Sequence, residues 1–136
     1  MHSFLRAIAI VVGMGTAGII SAQQSVTAVP IPPIKRTALQ KVDVPGTTYE
    51  VITGIAEIVP NMNIGRHTHP GAETGYIMQG ELTLLVDGQP PLALKQGDSY
   101  KVPPGAIHDA RTGDSPAKVL AVYIVEKGKP LATPSP

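Results

Sequence analysis

The chain has 136 residues, with 11 Lys and Arg against 10 Asp and Glu, and it has no cysteine. This length suits one ordinary domain that buries its own core, and it leaves no room for two. The balanced charge gives no electrostatic basis for binding nucleic acid or lipid, and the missing cysteine excludes disulfides and thiolate ligands. We therefore expect the ligand to be a small molecule.

The chain begins with the pattern of a secretory signal peptide, which we assign to residues 1–22. A short basic start precedes an apolar run over residues 7–20. The run is short and rich in small residues for a membrane span, which needs about 20 strongly apolar residues. We expect cleavage after Ala22, or else after Ala28, and an uncleaved anchor is the alternative. The remainder is predicted to be periplasmic or secreted, without stable membrane insertion after cleavage.

Proline-bearing segments flank the expected domain. Residues 23–45 are predicted to form an extended arm, because prolines 30, 32 and 33 forbid helix and ladder pairing. Residues 128–136 are predicted to form a flexible tail. The domain itself is expected to span residues 46–127.

Between these ends the sequence predicts strands and no helix. No stretch has the i, i+3, i+4, i+7 pattern of an amphipathic helix, and short apolar runs are cut by turn-forming residues. Eight short strands suit a sandwich or barrel. The predicted strands are Tyr49–Val59, Ile64–His69, Thr74–Gln79, Glu81–Val86, Leu92–Leu94, Ser99–Val102, His108–Arg111 and Lys118–Val125. Hairpin turns are predicted at residues 87–88 and 96–98, which makes the strands they join antiparallel neighbours.

Every histidine beyond the leader lies in one of two short segments. His67 and His69 are two apart on a predicted strand, so their imidazoles project from the same face. Glu73 follows a turn and opens the next strand facing this pair, and His108 follows a separate corner that lets it reach the same point. These four residues predict a site for one divalent transition metal. Imidazole and carboxylate ligands suit Fe, Mn, Zn, Ni or Cu, and the identity stays open.

These residues resemble the two sequence motifs of the cupins. The first motif is a glycine, five residues, His-x-His, three or four residues, Glu, six residues and Gly, and it is matched by His67, His69, Glu73 and Gly80. The second is a glycine, five residues, Pro-x-Gly, two residues, His, three residues and Asn, and it is matched by Gly97, Pro103, Gly105 and His108. Asn61 replaces the leading glycine and Thr112 the closing asparagine, and neither is a ligand position.

The resemblance covers about Tyr49 to Val125 and implies an all-β fold, the double-stranded β-helix or jelly-roll barrel of the cupins. Within that family the chain resembles small single-domain bacterial cupins of type 2, which are dioxygenase-like.

The metal is the basis of the functional hypotheses, because the sequence shows no Ser-His-Asp arrangement, phosphate-binding glycine loop or nucleotide fingerprint. A six-coordinate ion with four protein ligands keeps two adjacent positions open, which is typical of catalytic sites. The first hypothesis is an exported metal-dependent enzyme acting on a small organic molecule, either dioxygenase-like or a lyase, isomerase or hydrolase. The alternative is a non-enzymatic module that binds a small molecule or a metal. A structural or vestigial metal site is a further alternative.

Residues beyond the ligands are less informative. Strand alternation places Gln79 on the face of Glu73, unless a bulge shifts the register. The tyrosines at positions 76, 100 and 123 are expected to pack rather than line the pocket, and Glu57 and Arg111 are expected to face outward. A proton-transfer mechanism would need a tyrosine or Glu81. A homodimer is expected from the family resemblance, with residues 23–36 crossing onto a partner's sheet edge.

Overall fold

The computed structural model describes residues 32–136. The predicted signal peptide and the first part of the predicted arm, up to residue 31, lie outside the described residues. Between residues 32 and 136, no helix is long and apolar enough to cross a bilayer.

The described part of the chain contains ten strands and no helix. All eight predicted strands are present with bounds within three residues of those predicted, because short apolar runs end at turn-forming residues, and the first and last strands were not predicted. The strands are β1 Ile34–Asp43, β2 Tyr49–Ile58, β3 His67–Thr68, β4 Gly71–Gln79, β5 Glu81–Val86, β6 Leu92–Lys95, β7 Ser99–Val102, β8 His108–Arg111, β9 Ala117–Glu126 and β10 Thr133–Pro134.

The strands form two antiparallel sheets of five strands each, with the orders β1-β2-β9-β4-β7 and β10-β3-β8-β5-β6. From β3 onward the chain passes repeatedly from one sheet to the other, so strands adjacent in a sheet are distant in sequence, except for the consecutive pair β5 and β6. This is the jelly-roll arrangement of two packed sheets, and it confirms the all-β prediction.

The core lies between the two sheets and is aliphatic. Alternate residues of β4 and β5 are buried, so Ile77, Leu82 and Leu84 enter the core while their neighbours in sequence are exposed or half-buried. Val102 and Val119 complete the contact between the sheets. Full burial of such a side chain contributes roughly 1.5–3 kcal/mol. The apolar cluster therefore holds the sheets together without disulfides.

The prediction of an arm over residues 23–45 missed the first strand. Residues 34–43 form β1, the edge strand of the first sheet, which pairs with β2 along its length. Prolines stop at Pro33 and resume at Pro45, so the stretch between them keeps the N–H groups that a ladder needs. Residues 34–36 therefore pair within their own chain rather than crossing to a partner.

The predicted C-terminal tail also has a place in the fold. Thr133 and Pro134 form β10, which pairs with β3. The backbone N–H of Ser135 donates to the carbonyl of Arg66, which extends this pairing by one more bond. The segment is held against β3, which bears His67.

One of the two predicted hairpins is confirmed. β5 and β6 are antiparallel neighbours, joined by a turn in which Gly88 has a φ of 76°. The turn at residues 96–98 does not form a hairpin, because β6 and β7 belong to different sheets. Gly97 has a φ of 93° there, so this turn carries the chain from one sheet to the other.

Candidate metal centre

Three histidines converge between the two sheets. His67 on β3 and His108 on β8 are directly opposite each other in the antiparallel ladder. His69 lies two residues beyond His67, just after β3 ends, on the same side of the chain. The ring centroids are 4.2 Å apart for His67 and His108, 4.8 Å for His67 and His69, and 5.0 Å for His69 and His108.

Each imidazole is oriented by a backbone carbonyl. Nδ1 of His67 lies 2.7 Å from the carbonyl oxygen of Gly65, and Nδ1 of His69 lies 2.6 Å from the carbonyl oxygen of Leu131. Nδ1 of His108 lies 3.0 Å from the carbonyl oxygen of Ala106. A carbonyl oxygen only accepts, so each Nδ1 carries a proton, and Nε2 is the nitrogen that each ring can offer to a metal. This is the usual way in which proteins orient metal-binding histidines.

The three rings therefore form a group that could hold a metal ion. One ligand nitrogen from each of His67, His69 and His108 lies within 4.8 Å of the other two. Nε2 of His108 is buried and has no hydrogen-bond partner in the described part of the chain. A buried polar atom left unpaired is costly, and a bound cation would satisfy it. Imidazole nitrogens suit a divalent transition metal.

Glu73 lies beside this group. Its Oε2 is 3.0 Å from Nε2 of His69 and 3.3 Å from Nε2 of His108, and its side chain is buried. The contact to His108 lacks the alignment of a hydrogen bond, since that nitrogen remains unpaired. Burial acts to raise the pKa of Glu73, but the contacts from His108, His69 and Tyr100 outweigh it and lower the pKa to about 2. Glu73 is therefore an anion at neutral pH.

Tyr100 and Gly75 together fix the orientation of Glu73. The Tyr100 hydroxyl donates a 2.8 Å hydrogen bond to Oε1 of Glu73. Tyr100 on β7 pairs with Gly75 on β4, and a Cβ at Gly75 would lie 2.2 Å from the Tyr100 ring. The missing side chain at Gly75 lets the ring cross β4 and reach the carboxylate. Burial and the charge of Glu73 raise the pKa of the Tyr100 phenol well above its ordinary value.

Tyr123 also belongs to the site. It is opposite Glu73 in the β4–β9 ladder, and its ring meets that of His69 edge-on at 4.9 Å. Burial, followed by the charge of Glu73, raises the pKa of its phenol. The prediction that Tyr100 and Tyr123 pack without lining the pocket is wrong. Gly75 could have indicated the role of Tyr100, because it lies on the same face of β4 as Glu73 and leaves room there for an aromatic ring.

The pKa values of two histidines shift in opposite directions. Burial lowers the pKa of His67 below its ordinary value. Burial acts the same way on His108, but the contacts with Glu73 and the carbonyl of Ala106 outweigh it and raise the pKa. Protons compete with a metal for Nε2, so His67 is readily available as a ligand and His108 is more sensitive to acid.

The prediction that Gln79 faces the pocket is wrong. A bulge between Ile77 and Gln79 in the β4–β9 pairing shifts the register, and Gln79 is exposed. Glu81 is also exposed and lines neither of the two cavities around the site. Arg111 is exposed, and Glu57 is half-buried and lies near Lys35 and Lys118, as expected of outward-facing residues.

A cavity of about 460 Å³ adjoins the histidines. His67, His69 and Tyr123 form part of its wall, and most of the remaining wall is aliphatic side chains and glycine. A smaller cavity of about 50 Å³ lies around Glu73, Tyr100 and His108. A volume of 300–1,000 Å³ is typical of sites for small organic ligands. The larger cavity can therefore admit such a molecule beside the histidines.

A family model for the cupin domain matches residues 54–123 of this chain. Among characterised relatives, the chain is 39% identical over 57 residues to dimethylsulfoniopropionate lyase DddQ of Ruegeria pomeroyi. The aligned segment covers 42% of this chain and 28% of the lyase, so it spans less than a third of that relative's length.

Solved structures with the same fold include three at 19–23% identity. The crystal structure of the Ruegeria pomeroyi lyase DddQ aligns with a TM-score of 0.64 and 23% identity, over 76% of this chain and 52% of that chain. A cupin-like protein of Thermotoga maritima aligns with a TM-score of 0.61 and 19% identity, over 75% of each chain. The polyketide cyclase RemF of Streptomyces resistomycificus aligns with a TM-score of 0.60 and 22% identity, over 75% of this chain and 70% of that chain. These likenesses establish the fold.

Proposed function

The chain belongs to the cupin domain family, and from this premise we propose that it is a metal-dependent lyase acting on a small organic molecule. The observation that carries the proposal is the convergence of three histidine nitrogens beside the 460 Å³ cavity, whose wall includes His67 and His69. The relative with 39% identity over 57 residues is a lyase, which supports this reaction class over the others that a cupin site can host.

We further propose that Glu73 is the fourth metal ligand, beside His67, His69 and His108. Two adjacent ligands, each about 2.1 Å from one ion and at a right angle, are about 3.0 Å apart. The separations of 3.0 and 3.3 Å from Oε2 of Glu73 to Nε2 of His69 and of His108 fit this requirement for two of the three histidines. The site would hold one divalent Fe, Mn, Zn, Ni or Cu ion, which when bound supplies a Lewis acid for an oxygen of the substrate.

Proton transfer is assigned to Tyr123. A lyase must move a proton to or from the bound molecule, and the candidates from the sequence are a tyrosine or Glu81. Glu81 lies outside both cavities, and the hydroxyl of Tyr100 is committed to Glu73. Tyr123 borders both cavities and its raised pKa keeps the phenol protonated, so we infer that Tyr123 donates a proton to the group that leaves the bound molecule.

Two hypotheses from the sequence compete with the lyase. A dioxygenase-like enzyme would consume oxygen, so turnover that persists anaerobically in the zinc-loaded protein would reject it. A non-enzymatic binding module would bind metal or ligand without turning over any substrate. The apolar wall of the cavity is compatible with either, and the lyase is favoured by its relative alone.

The direct test is metal content and lyase activity in ligand variants. We expect His67→Ala and His108→Ala each to lose bound metal and turnover, measured by elemental analysis and by release of an unsaturated product from a panel of small organic acids and esters. Arg111→Ala is the matched control, because it lies on β8 with His108 but is exposed. Full metal content and activity in both histidine variants would reject the site.

We also propose that the protein is exported and forms a homodimer. Export is supported by the signal-peptide pattern of residues 1–22, and it predicts that protein recovered from the periplasm or medium lacks these residues by intact mass. Six large apolar side chains are exposed on the described surface, among them Val42 at 56%, Tyr76 at 47% and Ile124 at 44%, which supports a dimer. A monomer by light scattering would reject the dimer.

A further inference from the structure

Arg36 lies at the mouth of the candidate site. On β1 it pairs with Ala56 of β2, and two residues away in the same ladder Ile34 pairs with the buried Ile58. Side chains alternate along a strand, so Arg36 shares the inward face with Ile34. The residue is exposed, yet it borders both the large cavity and the small cavity around Glu73. Arg36 therefore lies between solvent and the group formed by His67, His69 and His108.

Within residues 32–136, the neighbouring cations pair with carboxylates and Arg36 does not. On the same strand, Lys35 lies 3.2 Å from Glu57 and Lys41 lies 2.8 Å from Glu50. Arg66, the other guanidinium at the large cavity, makes two hydrogen bonds to the carboxylate of Asp87, at 2.8 and 2.9 Å. Among residues 32–136, no carboxylate lies within ion-pair distance of Arg36.

The wall of the large cavity also lacks negative charge. None of the described residues that line it is an aspartate or glutamate, whereas two are arginines. The charge of Arg36 acts on the phenol of Tyr123, where it opposes the rise in pKa caused by burial and by Glu73. An unpaired guanidinium in an apolar cavity attracts an anion, and its planar fork matches the two oxygens of a carboxylate.

We propose that Arg36 binds the carboxylate of the substrate, so that this site acts on small organic acids. The inference rests on the proposed function and names its substrate class. An acid bound in this way would lie with its charged end at the mouth and its remaining carbons along the aliphatic wall, toward Tyr123 and the histidines. Arg36 is then a substrate-binding residue that selects acids over neutral molecules of the same shape.

The test compares an acid with its neutral amide. Zinc-loaded wild type and Arg36→Gln are titrated with propanoate and with propanamide, and dissociation constants are measured by NMR. We expect Arg36→Gln to weaken propanoate binding by about 10-fold or more, as for loss of a charge-assisted hydrogen bond, and to leave propanamide unchanged. Arg36→Lys keeps the charge and is expected to retain more of the preference.

Lys35→Gln is the matched control, since Lys35 is adjacent on β1 but points to the opposite face and pairs with Glu57. An acid preference that is unchanged in Arg36→Gln, or reduced equally in Lys35→Gln, would overturn the inference. Thermal unfolding of each variant checks that an exposed edge substitution leaves the fold intact. Because binding needs no turnover, an Arg36-dependent acid preference without lyase activity rejects the reaction while retaining this inference.

Discussion

The hydroxyl of Tyr100 donates a 2.8 Å hydrogen bond to Oε1 of Glu73; Glu73 is buried and Tyr100 is half-buried. A hydrogen bond to a carboxylate in such surroundings is stronger than one between neutral groups. It limits rotation of the carboxylate, so that Oε2 stays directed at the histidine nitrogens. Tyr100 therefore acts on the candidate metal site through Glu73, without being one of the proposed ligands.

Tyr100→Phe is expected to weaken metal binding by about 10- to 100-fold, which is typical when a partner that orients a ligand is lost. The ring remains, so the fold should be preserved while Glu73 becomes free to rotate. Competition with a chromophoric chelator measures the change. Tyr76→Phe serves as the control, because Tyr76 is on the same strand as Glu73 but is 47% exposed. Equal losses in the two variants would contradict the role of Tyr100.

Gly75→Ala is expected to disturb the hydrogen bond between Tyr100 and Glu73 by displacing the Tyr100 ring. The new methyl would lie 2.2 Å from the Tyr100 ring, so the ring must move away from Glu73. We expect a loss of about 1–3 kcal/mol in the free energy of unfolding, as for other overpacked sites, together with weaker metal binding. Gly113→Ala is the matched control, since no atom lies within 4 Å of a Cβ placed there. Chemical denaturation and chelator competition give the two readouts.

Deletion of residues 130–136 is expected to weaken metal binding by about 10-fold or more. The carbonyl of Leu131 accepts the hydrogen bond from Nδ1 of His69, and β10 pairs with β3 beside His67. Deletion of residues 135–136 alone is the control, because it leaves both contacts in place. If the shorter deletion lowers affinity as much as the longer one, the Leu131 carbonyl does not position His69.

Stability of the metal-free protein should fall at acid pH because of Glu73. The pKa of Glu73 is lowered from 4.5 to about 2 in the folded protein, so the unfolded chain binds more protons below about pH 4.5. The contribution is fully present above that pH and is lost as the pH falls toward 2. It is on the order of 3 kcal/mol. Urea unfolding between pH 5 and about 2.5 should show a steeper decline in wild type than in Glu73→Gln.

Glu81→Gln is the control for this measurement, because Glu81 is exposed at the start of β5. It should keep the wild-type slope. His108 has the opposite effect on the pH dependence of stability. Its pKa is raised in the folded protein, so its stabilising contribution is present below its ordinary pKa of 6.5. That contribution is lost as the pH rises through the pKa that His108 has in the folded protein. A wild-type slope in Glu73→Gln would show that another group dominates acid unfolding.

Features that depend on local periodicity follow from the order of residues along the chain. His67 and His69 share a face because they are two apart on an extended chain, and the later strands end where turn-forming residues interrupt apolar runs. The spacing of His67, His69, Glu73 and His108 indicated the cupin family, which the family model confirms. Each of these inferences needs only the distance between residues along the chain.

Tertiary structure decided which strands are neighbours, and in what register. Tyr100 reaches Glu73 across 27 residues of sequence, and His69 reaches the Leu131 carbonyl across 62. Arg36 borders the cavity because β1 pairs with β2. The prolines near β1 led the sequence analysis to miss this strand. A bulge at the end of β4 removed Gln79 from the site. Register and sheet order follow from packing the whole core, and alternation within one strand does not contain that information.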